Sequence, residues 1–139
     1  MEKEQALKRG LELVNRSGFA MLGTNGVEGY PNIKAMIKVE NVGLKEVWFS
    51  TNTSSKRVAQ LKENPKTCVY FADLEKYEGL MLTGTVDVLQ DEESRKRLWT
   101  DGCEKYYPLG VNDPDYSVLR FTALKGNYYH GLQNMSFDV

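Results

Sequence analysis

The chain has 139 residues, enough for one domain with a single core. Its 41% hydrophobic and 27% charged content is that of a soluble globular protein rather than a disordered or fibrous one. A formal net charge of -1 and a pI near 5.9 exclude a global pull toward nucleic acid or anionic membrane, and no apolar run approaches the roughly 20 residues a membrane span needs.

In chain order, residues 3 to 17 read as an amphipathic helix with Leu7, Leu11 and Val14 on one face and Gly18 placed to end it. Residues 19 to 25 read as a buried strand, and Asn25-Gly26 begins a turn through Gly29. From Pro31 to Val39 the residues alternate, Ile33, Ala35, Ile37 and Val39 on one face and Asn32, Lys34, Met36 and Lys38 on the other. Glu46 to Thr51 is a third strand. A helix opened by Ser54, Ser55 and Lys56 runs to Glu63, where Asn64-Pro65 stops it. Lys66 to Ala72 and Glu78 to Gln90 are the next strands, and Gly84 marks a bulge or bend in the second. Asp91 caps a helix with Glu92 and Glu93 in its first turn and bases in its last, as the helix dipole favours. A turn-rich segment punctuated by Pro108, Gly110 and Pro114 follows. Two strands close the chain, Tyr116 to Leu124 and Tyr128 to about Met135, separated by a turn at Lys125-Gly126-Asn127. Six or seven strands joined by short turns with few helices predict a mostly β domain over residues 1–139, a closed or partly closed antiparallel barrel. A doubly wound parallel sheet would need a helix after nearly every strand.

The chemistry concentrates between Val47 and Leu61, V-W-F-S-T-N-T-S-S-K-R-V-A-Q-L. A strand ends in Ser50-Thr51, a hydroxyl-rich loop follows, and a helix begins. First-turn N–H groups have no internal partners and carry the positive end of the dipole, so a phosphate monoester suits the place, with Lys56 adding a full charge. The plainer reading is that Thr53 or Ser54 simply caps a surface helix. Cys68 and Cys103 are far apart, and the single histidine, His130, leaves no cluster for a zinc site and no elbow motif for a serine hydrolase. Paired acids at Glu92-Glu93 serve their helix. No residue demands a role as catalytic acid or base. The opening M-E-K-E-Q-A-L-K-R-G lacks the apolar core of a signal peptide, so the cytoplasm is the expected compartment.

Four segments together resemble the FMN-binding split barrels related to pyridoxamine 5'-phosphate oxidase, in the small general-stress-protein branch. They are G-Y-P-N-I-K-A-M (Gly29 to Met36), W-F-S-T followed by S-S-K (Trp48 to Lys56), N-P-K-T-C-V-Y-F (Asn64 to Phe71), and L-T-G-T-V-D-V-L-Q-D-E-E-S-R-K-R-L-W with the Y-P-L-G-V-N-D-P-D-Y loop. The resemblance implies a six- to seven-stranded antiparallel split β-barrel and a homodimer with FMN at the subunit interface. It places Lys34, Ala35, Met36 and Ile37 alongside the flavin, Phe49, Ser50 and Thr51 against its ring or ribityl chain, and Ser54, Ser55 and Lys56 at its phosphate. It suggests that Trp99, Tyr106 and Tyr107 wall the partner's flavin. Where the family oxidase carries a substrate-binding lysine this chain has Val39, with Lys38 beside it. Gly79 stands where the oxidase has glutamine, and Val139 precedes the oxidase's C-terminal tryptophan and arginine. The resemblance therefore implies FMN and an oxidoreductase of unassigned substrate, not vitamin-B6 oxidation. A non-catalytic flavin-binding or stress-response module, or a relative taking deazaflavin or haem, is the alternative, and haem would depend on His130 as axial ligand. No metal, nucleic acid or membrane partner is expected.

Overall fold

The computed structural model describes residues 1–139. Its elements are α1 (Lys3–Arg16), β1 (Phe19–Asn25), β2 (Pro31–Val42), β3 (Glu46–Asn52), α2 (Lys56–Glu63), β4 (Lys66–Asp73), β5 (Glu78–Leu89), α3 (Glu92–Leu98), β6 (Tyr116–His130) and β7 (Gln133–Asp138). The strands are antiparallel in the order β3-β2-β1-β4-β5-β6-β7, and an added β3–β6 pairing closes the first six into a barrel with β7 as an extra strand on β6. No helix is long and apolar enough to cross a membrane.

Alternation along each strand fills the barrel with Leu22, Phe49, Val69, Phe71, Leu80, Leu82, Phe121 and Tyr128. Helix α1 covers one end. There Arg16 pairs with Asp73 at 3.3 Å and with Glu78, and the buried Tyr128 hydroxyl donates to the other Glu78 oxygen. Lys38 reaches the same helix from β2, its Nζ donating to Val14 O at 2.6 Å and to Asn41 Oδ1 at 2.8 Å. It thus satisfies a last-turn carbonyl, as a cation at a helix C-terminus should. A second apolar cluster outside the barrel wall joins Trp48 of β3 to Leu98, Tyr107, Tyr116 and Val118.

Two sequence expectations are corrected. The segment Lys125-Gly126-Asn127 is not a turn but part of one 15-residue strand, β6, paired with Met81 to Thr83 on one side and with Ser136 to Asp138 on the other. Gly126 is there for space: a Cβ would lie 2.6 Å from Phe137 Cε1 and 3.1 Å from Leu82 Cδ2. The turn falls at Gly131, whose φ of 61° suits glycine, between paired His130 and Gln133. The helix after β3 begins at Lys56, and neither Thr53 nor Ser54 but Ser55 is its cap, accepting from Val58 N at 3.3 Å. The break at Gly84 is observed as a register shift between Thr83 and Gly84.

The alternation of β2 is present with its sense reversed from that of a monomer's core. Met36 points inward and is buried, whereas Ile33 and Ile37 are 68% and 66% exposed. Across β1 they face Gly23 and Phe19, the latter 65% exposed, so the barrel carries an apolar outer face spanning two strands.

Candidate functional site

Strand β2 pairs with β3 only from Lys38↔Phe49 to Val42↔Glu46, so its residues 31 to 37 have no partner on the β3 side. The closed barrel therefore has a split between β2 and β3 at the end where β3 finishes, α2 starts and β6 begins. Three loop contacts fix that junction: Thr53 N donates to Asp115 O at 2.7 Å, Thr53 Oγ1 meets Ser117 Oγ at 2.6 Å, and Ser54 N donates to Asp115 Oδ1 at 2.8 Å. One donor expected for an anion is thus already spent on a carboxylate, and the Ser55 hydroxyl caps its own helix. The N–H groups of Lys56 and Arg57, first in α2, retain no partner in the chain.

Three cations lie on the elements that border this junction, Lys34 on β2 and Lys56 and Arg57 in the first turn of α2. Neither Lys34, on the free stretch of β2, nor Lys56 forms an ion pair. Asn32 and Lys56 line one groove, and Lys34 is the next residue of β2 on the same side as Asn32. Arg57 was not anticipated from the sequence. Its Nη2 donates to the buried Thr51 Oγ1 at 3.0 Å, its Nε is buried with no hydrogen-bond partner, and no carboxylate pairs with it. Burial pushes its pKa down from the ordinary guanidinium value. A buried guanidinium nitrogen without an acceptor is the group most in need of an anion. The signal available in the sequence was simply a second cation in the same helical turn as Lys56.

The other anticipated residues divide. Ile37 and Ser50 line a groove of about 390 Å³ with Val39, Asn52, Tyr106 and Tyr107. Ala35 lies on the exposed outer face, while the side chains of Met36 and Phe49 belong to the core and leave only backbone to offer a ligand. Tyr107 is buried within the chain, its ring 4.8 Å from that of Tyr116 and its hydroxyl donating to Asn52 Oδ1 at 3.3 Å; desolvation and neighbouring charges push its pKa up to about 12. Trp99 packs edge-on against Tyr116 at 5.3 Å. Tyr106 is 74% exposed on the groove rim. His130 is exposed at the far end of β6, about 45 Å of strand from Tyr116. Cys68 and Cys103 are free thiols, and no cluster of His, Cys, Asp or Glu could hold a metal.

The arrangement pairs an anion-seeking pole, built from the start of α2, with an adjoining groove of mixed apolar and hydroxyl character beside an unpaired strand edge. A planar ligand with a phosphate tail matches both halves.

No protein of curated function matches the sequence. Among solved structures, a protein related to general stress protein 26 of Bacillus subtilis, of the pyridoxinephosphate oxidase family, from Clostridium acetobutylicum, is 54% identical with a TM-score of 0.89 over 99% of this chain and 97% of its own. General stress protein 26 of Bacillus anthracis, 14% identical, shares the fold at a TM-score of 0.79 over 96% and 98% of the two chains. A heme binding protein of Mycobacterium smegmatis, 15% identical, shares it at 0.78 over 99% of this chain and 60% of its own. Residues 7–130 match the family model of pyridoxamine 5'-phosphate oxidase, and with that match the chain belongs to the pyridoxamine 5'-phosphate oxidase family.

Proposed function

We propose that the chain binds FMN and acts as a flavin-dependent oxidoreductase of unassigned substrate. The observation that carries this reading is the orphaned Nε of Arg57 beside Lys56, at the start of a helix and next to the unpaired stretch of β2 that holds Lys34. Lys56, Arg57 and Lys34 would hold the phosphate with the free hydroxyl of Ser54, and Thr51 would orient Arg57. The free backbone of residues 34 to 37 offers amide donors and acceptors to a flat heterocycle, and Ile37 and Ser50 would flank it. When bound, the flavin itself accepts and passes on electrons; the chain supplies position and charge.

Haem fits this groove less well, because the chain's one histidine lies at the opposite end of the barrel. The apolar outer face of Phe19, Ile33 and Ile37 supports a homodimer, since exposed patches of this kind mark interfaces. The visible spectrum tests the cofactor. Flavin bands in the purified protein, or saturable quenching of added FMN, are expected, and a colourless protein indifferent to FMN would overturn the proposal. Anaerobic bleaching of the bound flavin by NADH or NADPH is expected of an oxidoreductase, and its failure with every reductant tried would leave a flavin-binding module.

A further inference from the structure

A second groove, of about 430 Å³, lies between the β1–β2 hairpin and α2. We propose that it binds an adenine nucleotide. It leans on the flavin reading only through Lys56, which borders both places.

The argument begins with helical spacing. Lys56, Ala59, Gln60 and Glu63 follow one another at i, i+3, i+4 and i+7, so they form one face of α2, and all four line the groove. Ala59 keeps that face low. Gln60 is only 7% exposed yet half-satisfied: Thr24 Oγ1 donates to its Oε1 at 2.6 Å, and its Nε2 donates to nothing in the chain. Thr24 Oγ1 in turn accepts from Asn32 Nδ2 at 3.3 Å, which leaves Asn32 Oδ1 free. Because both amides bond the same Thr24 hydroxyl, which donates to one and accepts from the other, one amide is left with a free donor and the other with a free acceptor. The pair presents a carboxamide donor and a carboxamide acceptor side by side in one groove. Adenine offers the complement, an amino donor adjacent to a ring-nitrogen acceptor, and carboxamides are the side chains that read that edge.

Two further features give the groove a direction. Tyr30 on its rim is 77% exposed, an aromatic face with no partner of its own on which a base can stack. Lys56 stands at the helix N-terminus, where a phosphate is favoured, while the Glu63 carboxylate marks the other end as the place for sugar or base. The two are about 10 Å apart along the axis, room for a nucleoside and its phosphate. The same adenylate could be one arm of FAD, with its flavin in the neighbouring site, or of a reduced nicotinamide dinucleotide serving that flavin.

Titration calorimetry with ADP, FMN, FAD and NADH on the full chain decides the matter, with two exposed positions as controls. Ala59→Phe fills the groove without removing an internal contact, and Tyr30→Ala removes the stacking face. We expect ADP to bind saturably, and either FAD to bind at least 10-fold tighter than FMN or NADH to bind the FMN-loaded protein. ADP binding and whichever of the two gains is seen should fall about 10-fold or more in each variant, with FMN affinity unchanged. A FAD advantage assigns the groove to the flavin dinucleotide, and NADH binding without it assigns the groove to the nicotinamide dinucleotide. ADP binding that Ala59→Phe abolishes, in a protein that ignores FMN, would sustain the groove and sink the flavin reading. FMN binding with no ADP heat, no FAD advantage and no effect of either variant on NADH would overturn the proposal and spare that reading.

Discussion

Replacing Arg57 with Met separates a ligand-holding cation from a structural one. A structural arginine is worth keeping for its contacts, and Arg57 has one of note, the 3.0 Å bond to Thr51 Oγ1. Because the donor is charged, its loss costs about 1.5–3 kcal/mol. Against that stands the cost of holding a partly desolvated guanidinium with an unpartnered Nε and no carboxylate, which Met relieves while filling similar space. The two effects oppose each other, so the variant's stability should stay within about 1 kcal/mol of the parent in urea unfolding. Binding should not. A charge-assisted hydrogen bond to phosphate contributes about 1.5–3 kcal/mol, which at 1.4 kcal/mol per decade is a loss of FMN affinity of about 10- to 100-fold. Fluorescence titration of FMN against the parent and Arg57→Met reads it directly. A variant that loses more than about 2 kcal/mol of stability and keeps its FMN affinity would refute the reasoning and return Arg57 to the structure.

Gly126→Ala should destabilise by about 1–3 kcal/mol, since its Cβ would sit 2.6 Å from Phe137 Cε1 inside a continuous strand; a neutral result in urea unfolding would restore a turn at this position. Burial pushes Tyr70, Tyr107 and Tyr128 up to about 12. A folded-state pKa raised above the unfolded value of about 10 gives stability that is complete below pH 10 and lost as pH rises toward 12. Phenolate absorbance for these three should therefore appear together with alkaline unfolding, and their ionisation near pH 10 in folded protein would contradict the burial. Ile37→Asp, at an exposed position facing Phe19, should give a folded monomer by light scattering, whereas an unchanged mass would place any dimer contact elsewhere.

Much of the fold was legible because strand alternation and helix caps are local. The bounds of β1, β3 and β4, the Asp91 cap and the break at Gly84 follow from neighbours in the sequence. What failed was equally physical. Lys-Gly-Asn is good turn chemistry, and only the tertiary approach of Phe137 and Leu82 reveals that Gly126 is small for packing. Alternation in β2 divides two faces but does not say which one the barrel encloses, and here the more apolar face lies outside. Ser55 is occupied with capping, Phe49 is in the core, and the orphaned Nε of Arg57 is visible only once its surroundings are folded.

The seam between β3 and β6 joins Glu46 to Thr122 and Asn52 to Tyr116, segments separated by half the chain. Contacts so remote in sequence form only after a large loss of chain entropy, which places the protein among slow, high-contact-order folders. The groove proposed for the flavin ring borders β3 at Ser50 and Asn52, so it is not complete while this seam is open. A ligand there binds the closed barrel alone, and its first effect should be slower exchange of the amide hydrogens along β3 and the start of β6.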